Sequence, residues 1–232
     1  MASNYVVLEG THRTESVREI AFAGDTVRLA GQIDYPTTQT LTTGFPLLFV
    51  IPQAGCNTRD TYTHFAQTAL DSGFAVFRWD KRGTGRSGAG GRGSATMDAV
   101  LAYETALEQP RIDGSRVIIL AQGDGTTLLG NAFGMFARVQ APLAVILAGN
   151  MLDPDMVTAI NARLYVVQGD TDWNDWKIYA KDAVTAHQAL YDYGASYYVA
   201  RNANRLLMVN QGTSGPFHFG AKQQLKEWLR AQ

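Results

Sequence analysis

Residues 116–139 read RVIILAQGDGTTLLGNAFGMFARV. Positions 116–121 form a short apolar run of strand length behind one arginine, and 126–139 predict a helix. Only Gln122, Gly123, Asp124 and Gly125 lie between them. A strand that is apolar throughout must be covered on both faces. That happens in a parallel sheet with helices packed on both sides.

The alternation repeats outward from this unit. Further strands are predicted at 46–52 (PLLFVIP), 74–79, 143–149 and 164–168, with candidates at 196–200 and 206–210. Helices are predicted at 60–73, where Phe65, Ala69 and Leu70 share a face and Gly73 supplies the stop, and at 95–109, ended by Pro110. Two more fall at 176–193, ended by Gly194, and at 219–231. At the N-terminal end, apolar stretches 17–23 and 26–35 flank Gly24-Asp25, a two-residue hairpin signal. The expected fold is α/β: a mostly parallel central sheet preceded by an antiparallel hairpin, with helices on both faces. No linker, repeat or composition shift divides the chain, so one domain over 1–232 is expected.

Composition narrows the function classes. Hydrophobic residues make up 46% of the 232 positions, enough for a large core, which excludes general disorder. Charged residues are 18% and the formal net charge is -1, so the chain lacks the basic excess that phosphate contacts to nucleic acid require. The single cysteine, Cys56, excludes an intrachain disulfide and a four-cysteine zinc site. His12, His64, His187 and His218 are too scattered to form a metal cluster by spacing, so no metal is expected. Of these, His187 reads as a surface residue in a polar, alanine-rich helix, and His64 as structural. No apolar stretch approaches membrane-spanning length, and the first ten residues lack the pattern of a signal peptide. The expected protein is cytoplasmic, a monomer or small homo-oligomer with a small-molecule ligand or substrate and without nucleic-acid or membrane partners.

Ligands of doubly covered parallel sheets bind beyond the carboxyl ends of the strands, which directs attention to the strand-to-helix loops. Four of these carry distinctive residues. They are Pro52-Gln53-Ala54-Gly55-Cys56, then Asp80-Lys81-Arg82-Gly83-Thr84-Gly85-Arg86-Ser87, then Ala121-Gln122-Gly123-Asp124-Gly125, and Gly169-Asp170-Thr171-Asp172. His218 follows just before the last helix. Read as a dinucleotide turn, Gly123-x-Gly125 lacks the third glycine, and Gly83-x-Gly85 lacks a Walker lysine, so no nucleotide cofactor is expected. The glycine-rich segment 83–94 reads as a surface loop.

Taken together, these loops resemble the α/β-hydrolase superfamily, in its branch of serine esterases and prolyl-peptidase-like hydrolases. The resemblance covers essentially the whole chain, and Asp-Lys-Arg-Gly-x-Gly-x-Ser is its most specific piece. It implies a nucleophile on a sharp turn after the strand at 116–121, with small residues two positions before and two after. Ala121 and Gly125 fit those flanking places, which puts Gly123 at the nucleophile position, with no side chain to attack. A register shifted by one would make Asp124 the nucleophile, as in haloalkane dehalogenases, and would force Gln122 and Thr126 into the crowded places. In the first register the Asp124 N–H becomes an oxyanion donor.

The resemblance further implies Asp172 as the acid that orients a histidine, and His218 as that histidine. Where the family has His-Gly in its oxyanion loop, this chain has Pro52-Gln53, leaving Gln53 and Ala54 as the binding positions. The stretch Asp80 to Ser87 is expected to be structural, with Arg82 tied by hydrogen bonds. Only about fourteen residues separate Gly149 from Leu164, too few for a helical lid. Three functions follow as expectations: an inactive or atypical hydrolase-like protein with a small-molecule pocket; an enzyme using His218–Asp172 as a general base; and a hydrolase with Asp124 as nucleophile.

Overall fold

A computed structural model describes residues 17–37, 43–209 and 215–232. Eight strands form one sheet. They are β1 (Val17–Ala23), β2 (Arg28–Asp34), β3 (Phe45–Ile51), β4 (Ala75–Asp80), β5 (Ile112–Gln122), β6 (Ala144–Ala148), β7 (Arg163–Gly169) and β8 (Ala195–Ala200). Their spatial order is β1-β2-β4-β3-β5-β6-β7-β8. Strand β2 runs antiparallel to both β1 and β4, and every pair from β4 to β8 is parallel. The expected hairpin and parallel sheet are therefore both present.

The period of two along each strand splits the core into two layers. Leu47, Phe49, Ile51, Val117, Ile119 and Ala121 face one side. That side is covered by α2 (Ala95–Leu107), α3 (Asp124–Val139), α4 (Pro154–Val157) and α5 (Ala183–Leu190). Leu48, Val50, Ile118 and Leu120 face the other side, under α1 (Thr63–Leu70) and α6 (Phe219–Arg230). Strands β3, β4 and β6 are buried at every position, which is why their sequences show no alternation. β8 lies at the sheet edge, and its pattern is correspondingly mixed.

Helix starts and stops follow local chemistry. Ser94 caps α2, its hydroxyl accepting from Thr96 N and Met97 N. Beyond α1, Gly73 takes φ 89° and Phe74 N bonds back to Ala69 O, a glycine-terminated end.

Three expectations need correction. The segment 176–193 is not one regular helix: Lys177–Asp182 is a π-turn ahead of α5. The buried side chain of Asn150 donates to the Tyr179 carbonyl at 2.6 Å, taking up a backbone group within that irregular turn. The candidate strand at 206–210 forms only the isolated bridges Ala203–Val209 and Met208–Phe217, and Asn210 lies outside the described residues. His187 is fully buried rather than at the surface, its Nε2 2.9 Å from the Ile160 carbonyl, because α5 turns this face onto the chain beyond α4.

Between β6 and β7 the chain has only the four-residue α4, so no helical lid is inserted there. No helix of the described residues is long and apolar enough to cross a membrane.

Candidate functional site

The β5–α3 turn pivots on Gly123, at φ 55° and ψ −125°. An L side chain rarely adopts that backbone, whereas glycine does so at little cost. The Gly123 N–H donates to the Ala148 carbonyl at 3.0 Å, and its own carbonyl accepts from Thr126 N at 2.9 Å and Thr126 Oγ1 at 2.7 Å. A Cβ at Gly125 would stand 2.7 Å from the Ile51 carbonyl and 2.9 Å from that of Pro52. The close approach of α3 to the end of β3 therefore requires glycine. Asp124 is already the first residue of α3, so the sharp turn falls at Gly123 and not one residue later. Gln122 and Thr126 are fully buried beside it.

The acid loop follows β7. The Asp172 side chain is 1% exposed. Its carboxylate accepts from Gln168 Nε2 at 2.9 Å, from Asn174 N at 3.2 Å and from the guanidinium of Arg205. Arg205 Nη2 lies 3.0 Å from Oδ1, and Nε lies 3.2 Å from each oxygen. Buried amides extend this cluster: Gln168 Oε1 accepts from Asn150 N at 2.7 Å, and Gln122 Nε2 donates to the Arg205 carbonyl at 3.1 Å. The Arg205 guanidinium also covers the ring of the exposed Trp173 at 4.4 Å.

His218 does not take the place expected for it. Its Nδ1 accepts from Ala221 N at 2.9 Å, capping α6, and it is not among the partners of Asp172. The Asp172–His218 pair is thus replaced by Asp172–Arg205. The physical reason is reach and charge: a flexible cation entering from the loop after β8 satisfies the buried carboxylate, while the imidazole serves a helix end. Nothing in the sequence around Arg205 marks it. It stands 33 residues beyond Asp172, and only the fold joins them.

The space in front of Gly123 is occupied. A Cβ there would lie 2.8 Å from Gln53 Oε1, 3.0 Å from Gln53 Cβ and 3.6 Å from Arg205 Cδ. Gln53 N donates to the Tyr62 hydroxyl at 2.8 Å, so this N–H is committed elsewhere. Ala54 is exposed, and its carbonyl accepts from Asn57 Nδ2. The Lys81 ammonium holds the same loop through the carbonyls of Gln53 and Gly55. Burial pushes the Lys81 pKa down, against the opposing pull of Asp124 and Cys56.

Arg82 is bound to Asp98 at 2.6 Å and to the Asp25 carbonyl at 3.0 Å. The buried Asp80 carboxylate accepts from the backbone N–H groups of Arg59 and Arg86. These contacts are structural. Two cavities flank the centre. One, of about 300 Å³, lies between the β3 and β4 loops and the starts of α2 and α3. The other, about 780 Å³, includes His64, Phe217 and Lys222. His64 packs 4.3 Å from both Phe65 and Phe217, and burial lowers its pKa to about 4. Among the described residues, no group of three His, Cys, Asp or Glu could hold a metal ion.

No family model and no curated protein matches this sequence. Solved structures do match. A lidless α/β serine hydrolase of Xanthomonas campestris superposes with a TM-score of 0.63 at 14% identity, covering 96% of this chain and 97% of its own. A dienelactone hydrolase-like promiscuous phosphotriesterase from metagenomic libraries gives 0.65 at 20% identity, over 93% and 96%. A Butyrivibrio proteoclasticus protein solved with ferulic acid bound gives 0.66 at 14%, over 92% and 98%. Sheet order, the turn at Gly123 and these superpositions agree: the chain has the α/β-hydrolase fold.

Proposed function

We propose that this protein binds a small molecule and does not carry out acyl transfer through a covalent intermediate. The observation that carries this reading is the commitment of Asp172 to Arg205, which together with Gln53 fills the space in front of Gly123. Acyl transfer by a serine triad needs a nucleophile, a base oriented by an acid, and oxyanion donors. Gly123 brings no attacking atom. Asp172 orients a guanidinium, which does not deprotonate in proteins. The Gln53 N–H is engaged by Tyr62. Each element is altered, and the alterations fit together in one packed cluster.

The test is hydrolysis of p-nitrophenyl acetate, with a fluorophosphonate probe run in parallel. The expected result is no covalent labelling, and a turnover that Asp172→Asn and His218→Ala leave unchanged. A tenfold fall in His218→Ala would support general-base catalysis instead. An ester trapped on Asp124, seen by mass, would make that residue a nucleophile. Either result, or labelling of any hydroxyl, overturns the proposal.

A further inference from the structure

The sheet ends differently at its two edges. At β1 the outer strand carries Arg18 and Glu19, and Glu19 is tied to Arg59 and Arg86. Charges of this kind keep an edge from pairing with another chain. β8, at the opposite edge, reads Ala195-Ser196-Tyr197-Tyr198-Val199-Ala200, with no charge and no proline. Its register with β7 runs without a bulge. Among the described residues, no strand pairs with its outer side. The Gly194 and Ala200 carbonyls accept from Leu164 N and Asp170 N on the β7 side, at 3.2 and 3.0 Å. By the alternation of the ladder, the main-chain groups of Ala195, Tyr197 and Val199 therefore point outward. Exposed apolar side chains flank this edge on both faces. Leu190 and Tyr193 lie at the end of α5, Tyr197 on the strand, and Phe219 at the start of α6, one residue before Gly220, which packs against the Tyr198 hydroxyl.

We propose that β8 pairs antiparallel with β8 of a second copy, across a twofold axis at Tyr197, joining the two sheets into one. Opposed residues of an antiparallel pair share a face, so the axis must pass at a residue. At Tyr197, its N–H and carbonyl meet those of its own copy, and Ala195 meets Val199. Every outward main-chain group of the strand then has a partner. The ends are complementary as well. Asp192 precedes the strand and Arg201 follows it, both exposed. An antiparallel copy sets each acid beside the arginine of the other chain, whereas a parallel one would oppose like charges. Leu190, Tyr193, Tyr197 and Phe219 are 60%, 53%, 39% and 73% exposed. Taking ~200 Å² for a large side chain, these four offer about 450 Å² per copy, more than half of the ~800 Å² per partner of a standard interface. The strand backbone and its polar ends supply the rest. The pairing closes on itself, which yields a dimer and not a filament. It is independent of the binding function proposed above.

Sedimentation equilibrium on the full chain is expected to show a dimer with a dissociation constant in the micromolar range. Tyr197→Lys sets two ammonium groups against each other across the axis and is expected to weaken the dimer at least tenfold, with the circular dichroism spectrum unchanged. A second pair of variants reads the register directly, in a Cys56→Ser background. Tyr197→Cys is expected to form an interchain disulfide under oxidised glutathione, because directly opposed Cα atoms at ~5.5 Å lie within disulfide range. Ser196→Cys is expected not to, since its two copies fall diagonally at ~7–8 Å. A native protein still monomeric at about 100 μM, well above the expected dissociation constant, overturns the proposal. So does a dimer that a folded Tyr197→Lys leaves unchanged, or cross-linking through Ser196→Cys and not Tyr197→Cys. Should Tyr197→Lys fail to fold, the cysteine pair decides.

Discussion

Replacing Arg205 by methionine tests the central cluster most directly. The Asp172 side chain is 1% exposed, so it cannot turn to water when its partner is lost. Removing one member of a buried ion pair generally costs about 3–5 kcal/mol, because an uncompensated charge is left behind. The lower end applies here, since Gln168 Nε2 and Asn174 N still donate to the carboxylate. Loss of the guanidinium–Trp173 contact adds about 0.5 kcal/mol, as Trp173 is largely solvent-facing. The expected total is about 3.5 kcal/mol, or roughly 7–14 °C in Tm for a chain of this length.

The converse substitution, Asp172→Asn, leaves a guanidinium whose side chain is 16% exposed and can reach solvent. It should cost only about 1–2 kcal/mol, the value of the weakened hydrogen bonds. The double variant Arg205→Met with Asp172→Leu should recover much of the loss, since apolar replacement of a buried pair is often neutral. Urea unfolding followed by tryptophan fluorescence measures all three at constant slope. If Arg205→Met falls within about 1 kcal/mol of the native protein, the pair acts as a surface ion pair and the packed-cluster argument fails.

Further outcomes can be checked with the same assay. Gly123→Ala should lose about 1–3 kcal/mol from its positive-φ backbone, and adding Gln53→Ala should relieve the side-chain crowding but not the backbone strain. Gly125→Ala presses a methyl group onto two backbone carbonyls and should lose about 1–3 kcal/mol, with no rescue from Gln53→Ala. Stability should fall as the pH drops below about 6.5 toward 4. In that window unfolded histidines take up protons while native His64, with its pKa lowered to about 4, does not; burial shifts His187 in the same direction. His64→Phe should flatten the slope between pH 5 and 7, and an unchanged slope would discount His64 as its source.

Much of the fold was legible in the sequence because its signals are local. The apolar runs at β3, β5 and β7 report burial on both faces, which follows from the strands' own composition. Gly73 and Pro110 mark helix ends through backbone geometry that needs no distant partner. The turn at Gly123 was legible through the family resemblance, which implies small residues two positions before and after the bend, where Ala121 and Gly125 stand. His187 was misread because a polar, alanine-rich helix gives little sign of which face is covered. The π-turn before α5 was invisible, since it accompanies a hydrogen bond from Asn150, which lies 29 residues away.

By itself, then, the sequence determined a covered parallel sheet, a sharp turn on Gly123 and an acidic loop ending in Asp172. The tertiary structure alone decided what those residues do with one another. It brought Arg205 to Asp172, assigned His218 to the start of α6, and filled the front of Gly123 with Gln53. Periodicity and turn chemistry are set within a few residues along the chain. Ion pairs and cavities depend on side-chain reach between loops that meet only after the strands have aligned.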